Sequence, residues 1–246
     1  MPATDPAAAP AADRRVVVIT GATGPLGRAA VTAFVADGDR VALVGTDAER
    51  LATTAADLQL GDGDWVPAVA DLRQEAAARA VATKVLERFG RIDVLIQLVG
   101  GYTGGTALID LDNEALATML DQHVWATFHM TRAVVPSMTS RGFGRIIAVL
   151  PNVTANPGPR MAAYVAARAG QEAMLRGLAR EVAGTGVTVN TLSVRAIDVA
   201  HERETAPSPR NATWATPEEI VATMRFLCSD AAAAINGARI PLDGRG

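Results

Sequence analysis

The sequence predicts an α/β protein: a doubly wound parallel sheet of the Rossmann type, three layers deep, with helices on both faces. Three observations carry this. Short apolar runs alternate with helix-length periodic segments along nearly all of the 246 residues. Several runs are apolar throughout, as strands covered on both faces must be. A glycine-spaced turn, Thr20-Gly21-Ala22-Thr23-Gly24-Pro25-Leu26-Gly27, joins the first run to the first periodic segment.

The elements follow in order. Strands are expected at residues 16–20, 41–44, 65–69, 93–98, 145–150 and 187–192, each a Val-, Ile- or Leu-rich run. Helices are expected between them, at 25–37, 48–58, 74–89, 113–140 and 161–183. Asp37-Gly38, Phe89-Gly90 and the glycines at 184 and 186 mark helix ends. Such β-α alternation implies right-handed crossovers. Residues 194–216 interrupt it. They hold His201, Glu202, Arg203, Glu204, Pro207, Pro209 and Trp214 without either period, and a loop of this length is usually functional or disordered. A helix over 217–229 then starts with Thr216 as N-cap and Pro217 in its first turn. Residues 238–242 read as a last short strand.

Composition narrows the function classes. The hydrophobic fraction of 49% supports a large core, and aromatics at 4% mean that it packs small aliphatic side chains. A net charge of −3 without a basic cluster argues against a nucleic-acid surface. Cys228 is the single cysteine, so an intrachain disulfide is excluded. The longest apolar runs are too short to span a bilayer. Residues 1–13, rich in Ala and Pro, lack the charged-then-apolar order of a secretion signal and read as a disordered leader to a single domain over 14–246. The expected address is the cytoplasm. No cluster of metal-ligating residues suggests a metal.

Gly21, Gly24 and Gly27 stand between a strand and a helix, the context that gives such spacing its meaning. Glycines let the backbone approach a pyrophosphate, whose charge meets the helix N-terminus. A plain strand-to-helix turn is the competing reading. Far downstream stands Tyr164-Val165-Ala166-Ala167-Arg168. Together the two motifs resemble the signature of the short-chain dehydrogenase/reductase family, in which a dinucleotide-binding turn precedes a Tyr-x-x-x-Lys motif. The resemblance covers nearly the whole chain from Arg14 onward.

Several roles are implied by that resemblance. Gly21, Thr23, Gly24, Leu26 and Gly27 would hold NAD or NADP. Asp71 would bond the adenine amino group beside Leu72, with a helix N-cap as its alternative role. Gly100, Tyr164, Arg168 and the Ile197 backbone would meet the ribose and nicotinamide. Coenzyme choice is read at the end of the second strand, where an acid selects the ribose 2′-hydroxyl and an arginine the 2′-phosphate. Gly45-Thr46 provides neither and leaves the choice open.

The catalytic set is altered. Tyr164 matches the family's proton-transferring tyrosine, with a core tyrosine as the competing reading. Arg168 takes the lysine's place one helical turn on, sharing a face with Tyr164. It keeps the positive charge but cannot release a proton. The serine position holds Pro151, next to Leu150, leaving Asn152 and Thr154 as the nearest polar substitutes. The asparagine position holds His123, able to hold a water or to act as acid or base near neutral pH, or else a purely structural hydrogen-bonder. Tyr102, on a glycine-rich loop, would wall a substrate pocket with Leu150, Pro151, Asn152 and Trp125.

Three functions are compatible with these residues: an NAD(P)-dependent oxidoreductase acting on a small carbonyl or alcohol substrate; a dehydratase, isomerase or cyclase on the same scaffold; and an inactive binding or regulatory homologue. The persisting glycine turn and tyrosine favour the first. The resemblance also implies a homodimer or homotetramer joined through the helices over 113–140 and 161–183 and the last strand.

Overall fold

The computed structural model describes residues 14–154 and 156–243. The leader expected over residues 1–13 lies outside the described residues.

Seven parallel strands form one sheet: β1 (Val16–Thr20), β2 (Arg40–Gly45), β3 (Trp65–Val69), β4 (Val94–Gln97), β5 (Gly144–Pro151), β6 (Val187–Val194) and β7 (Arg239–Leu242), in the order β3-β2-β1-β4-β5-β6-β7. Because residues alternate across a strand, β1 divides its apolar side chains between two cores. Val16 and Val18 face one core, Val17 and Ile19 the other. The first core is closed by α3 (Glu75–Phe89), α5 (Ala126–Arg141) and α6 (Ala162–Glu181), through residues such as Val81, Met130 and Leu175. The second is closed by α1 (Pro25–Ala36), α2 (Ala48–Asp57) and α8 (Pro217–Leu227), through Phe34, Leu51 and Met224.

The direction of winding reverses between β1 and β4. That reversal opens a crevice at the C-terminal ends of the strands, where ligands bind in such sheets. Thr20, fully buried at the end of β1, fixes the crevice floor. Its hydroxyl accepts hydrogen bonds from the Leu98 and Val99 amides at 2.9 and 3.2 Å as the chain leaves β4.

Two segments depart from expectation. The single helix expected over 113–140 is broken into α4 (Asn113–Leu120), a π-helical turn (Asp121–Trp125) and α5. The Ala126 amide donates to the Asp121 carbonyl five residues back, so the turn holds one residue more than an α turn. The segment 194–216, expected to lack a helix, contains α7 (Glu202–Thr205) and a bridge between Ile197 and Ala215. Asp198, almost fully buried, accepts from the Glu202 and Arg203 amides and caps that helix. Arg203 in turn ties it to Glu219 of α8 at 2.6 Å. The local sequence carries no period because these fixings are tertiary.

Candidate active site

The glycine turn closes around its own backbone. A side chain at Gly27 would place Cβ 2.2 Å from the Gly21 carbonyl oxygen and 2.8 Å from Ala22, so no other residue fits there. Beyond the turn lie two adjoining pockets. The larger, about 540 Å³, is walled by Gly21, Thr23, Gly24, Thr46, Asp71, Leu72 and Gly100. The smaller, about 220 Å³, is walled by Gly21, Leu26, Gly27, Val149, Arg168 and Ile197. The shared Gly21, Gly24 and Leu98 make them the two arms of one elongated cleft. Its glycine waist and the α1 N-terminus there fit a dinucleotide.

Asp71 is not a helix N-cap. The cap of α3 is Gln74, and the Asp71 carboxylate is engaged by the amide and guanidinium of Arg73, the latter at 2.7 Å. That pairing holds its carboxyl below the ordinary aspartate range. The same wall carries Arg50, which the sequence reading passed over. Its guanidinium has no ion-pair partner among the described residues.

At the other arm, Tyr164 lies in the first turn of α6 and Arg168 one turn further. The guanidinium carbon of Arg168 stands 5.5 Å from the Tyr164 ring centroid. The His123 ring meets the same tyrosine edge-on at 5.7 Å, and Tyr102 does so at 5.0 Å from the solvent side. Tyr164, Arg168, His123 and Tyr102, far apart in sequence, therefore converge. Beneath Tyr164 a small apolar cluster of Met119, Ala163 and Ala167 forms a floor.

His123 sits in the π-helical turn and is fully buried. One ring nitrogen, Nε2, bonds the Gly101 carbonyl at 2.9 Å and must carry the proton, since a carbonyl only accepts. Nδ1 is then a bare lone pair, buried without a partner among the described residues. Burial and the Arg168 charge lower this imidazole from 6.5 to about 4. The expectation of acid–base work near neutral pH is thereby corrected: His123 is a neutral acceptor there. Gly100 lets the chain pass this ring.

Burial also lowers the Arg168 guanidinium, against the opposing influence of the Tyr164 hydroxyl. Its Nη1 donates to the Gln171 side-chain oxygen at 2.9 Å and to the Val149 carbonyl at 3.4 Å. Gln171 is a residue the sequence reading missed; only its place three residues after Arg168 on a buried helix face could have flagged it.

Of the expected substitutes for a serine, Thr154 is already committed: it donates to Glu172 and accepts from Arg239. The Asn152 side chain has no partner among the described residues. Pro151 ends β5 and Leu150 is almost fully buried, so Pro151 and Asn152 are the better placed to border a substrate. Trp125 does not join this group. It meets Phe128 edge-on and His129 at a tilt, with ring centroids at 5.7 and 5.6 Å, in a separate aromatic cluster.

Comparison with known proteins decides the family. The family model described as short chain dehydrogenase matches residues 15–209. The chain belongs to the short-chain dehydrogenase family. It is similar to the D-threitol dehydrogenase of Mycolicibacterium smegmatis, with 32% identity over 241 residues, 94% of this chain and 92% of that protein. It is also similar to the 3-oxoacyl-[acyl-carrier-protein] reductase FabG of Thermotoga maritima, with 26% identity covering 94% and 96%. Among solved structures, a short chain dehydrogenase from Bacillus anthracis superposes with a TM-score of 0.83 at 29% identity, covering 94% of this chain and 95% of that one. Levodione reductase gives 0.83 at 26%, covering 94% and 96%. This short-chain dehydrogenase is thus an NAD(P)-dependent oxidoreductase. Among its described residues no helix is long and apolar enough to cross a membrane, and no group of side chains could hold a metal ion.

Proposed function

We propose that this short-chain dehydrogenase interconverts a small carbonyl compound and its alcohol with NADP(H), using Tyr164 for proton transfer and Arg168 as a fixed cation beside it. The observation that carries the reading is the convergence of Tyr164, Arg168 and His123 at one arm of a cleft whose waist is the glycine turn. The nicotinamide would supply or accept the hydride when bound. The residues would do the rest. The Tyr164 hydroxyl would give its proton to the developing alkoxide of the substrate, an act typically contributing 10²–10⁴-fold. The phenolate left behind would be balanced by Arg168, which has no carboxylate of its own within the site. Arginine cannot pass the proton on. Neutral His123, with its free Nδ1, suits the task of holding a water that returns one to Tyr164. Asn152 would orient the substrate oxygen, and Tyr102 would cover the ring of Tyr164.

Support for NADP(H) comes from the wall of the larger pocket. An acid that would repel a 2′-phosphate is missing at Gly45, Asp71 is already neutralised by Arg73, and Arg50 is a cation without a counter-ion among the described residues. An apolar groove of about 320 Å³ between α5 and α6, lined by Phe128, Val135, Met174 and Leu178, supports self-association through those helices. The experiment is a coenzyme titration followed by reduced-coenzyme absorbance across a panel of ketones, quinones and polyols. Binding with consumption on at least one carbonyl is expected. Tight coenzyme binding with no consumption on any member would move the reading to proton chemistry without net redox.

A further inference from the structure

We propose that Gln171 is a positioning residue: braced by Thr127, it fixes the plane of the Arg168 guanidinium beneath Tyr164. The inference rests on the reading that Arg168 serves Tyr164, and deepens it.

Gln171 is fully buried, and so is Thr127 on α5. Both ends of the amide are used. Its nitrogen donates to the Thr127 hydroxyl at 2.7 Å, and its oxygen accepts from Arg168 Nη1 at 2.9 Å. The helix around it packs Ala167, Leu175 and Ala179 into the interior. A leucine would fill the same space without the desolvation cost of an amide. The amide is therefore explained by its partners, not by packing.

The choice of amide matters. A guanidinium is a planar fork that acts through orientation, whereas an ammonium is a compact point charge. With Nη1 held by Gln171 and by the Val149 carbonyl, the plane of the fork is set. The other edge is left toward the reacting side: Nη2 would stand 3.5 Å from a Cβ at Gly100, and Nε makes no hydrogen bond among the described residues. A carboxylate at position 171 would hold the fork equally well but cancel its charge. A neutral acceptor holds it and leaves the charge for Tyr164. The adjacent Glu172 points to Thr154 and Arg239 instead, so among the described residues no acid pairs with Arg168.

The test has a readout independent of turnover. In protein labelled with ¹⁵N-arginine, the Arg168 side-chain signals are those lost in Arg168→Lys. Slow rotation about the guanidinium bond, seen as separate Nη resonances, is expected in the wild type, and their merging in Gln171→Leu. On any carbonyl that the panel shows to be reduced, Gln171→Leu should lower kcat about ten- to a hundredfold with KM within about twofold. In the Arg168→Lys background the same change should cost less than about twofold, because a lysine needs no such brace. Unchanged Arg168 resonances, or equal losses in both backgrounds, would overturn the proposal and leave Gln171 a packing residue. If Gln171→Leu does not fold, Thr127→Val removes the brace at constant volume and must give the same merging; an unchanged spectrum there refutes it equally. A wild type inert toward every carbonyl would sink the proposed reaction, while the resonance test still judges Gln171.

Discussion

Replacing Gly100 with alanine would drive a methyl group into the His123 ring. The new Cβ would lie 2.3 Å from Cε1 and 2.5 Å from Nδ1, at a backbone φ of +151° that favours glycine. Carbon atoms rest at about 3.5–4.0 Å, so the ring must retreat by roughly 1 Å or more. It has little room, being fully buried and tied through Nε2 to the Gly101 carbonyl. The backbone conformation adds about 1–3 kcal/mol, the overpacking about 1–3 kcal/mol, and the strained hydrogen bond up to about 1 kcal/mol. A loss near 4 kcal/mol is expected, which for a domain of this size lowers Tm by about 10 °C. The assay is thermal unfolding followed by circular dichroism, on Gly100→Ala, His123→Ala and the double variant. If the ring is the obstacle, the double variant should lose at least about 1.5 kcal/mol less than the two single losses added together. A single variant melting within about 2 °C of the wild type, or strict additivity, would refute the packing argument.

Tyr164→Phe keeps the ring contacts and removes the proton donor, so kcat on any accepted carbonyl should fall about 10²-fold or more; a wild-type rate would move the chemistry elsewhere. Gly27→Ala sets a methyl against the Gly21 carbonyl at 2.2 Å, and calorimetric titration should show coenzyme affinity reduced at least about tenfold. Arg50→Ala should weaken NADPH binding by about fivefold or more with little effect on NADH; equal effects on both would remove Arg50 from coenzyme choice. His123 is depressed from 6.5 to about 4, so between those values the unfolded chain binds the proton and the folded chain does not. Stability should therefore fall as pH drops through that window, by up to roughly 3 kcal/mol, and His123→Asn should flatten this part of the curve in pH-dependent urea melts. A wild-type curve no steeper than the variant's would mean that the imidazole is not held neutral.

The strands and the doubly wound class were legible because burial on both faces leaves runs such as 16–20 and 145–150 apolar throughout, a local signal. The glycine turn was legible for the same reason: its spacing is a property of eight consecutive residues. Tyr164, Arg168 and His123 could be placed only through the family resemblance, since nothing local tells a buried catalytic tyrosine from a core one. Gln171 and Arg50 were not legible. A buried amide looks like any helix residue until its partners on α5 and α6 are known, and a cation on α2 gains meaning only when the opposite wall of the cleft is seen. The α7 turn was hidden likewise, because Asp198 and Glu219 stabilise it from outside its own few residues.

The π-helical turn at Asp121–Trp125 has a consequence for how this region tolerates change in length. An α-helix advances about 100° per residue. The wide turn takes up its additional residue locally, so that α4 packs on α6 while α5 packs on α3. A one-residue deletion within α4 or α5, where no wide turn absorbs it, would swing the faces of one helix by about 100° against the other. Point substitutions at 121, 122 or 124 would keep the phase. At this corner of the molecule the chain counts residues as strictly as it chooses them.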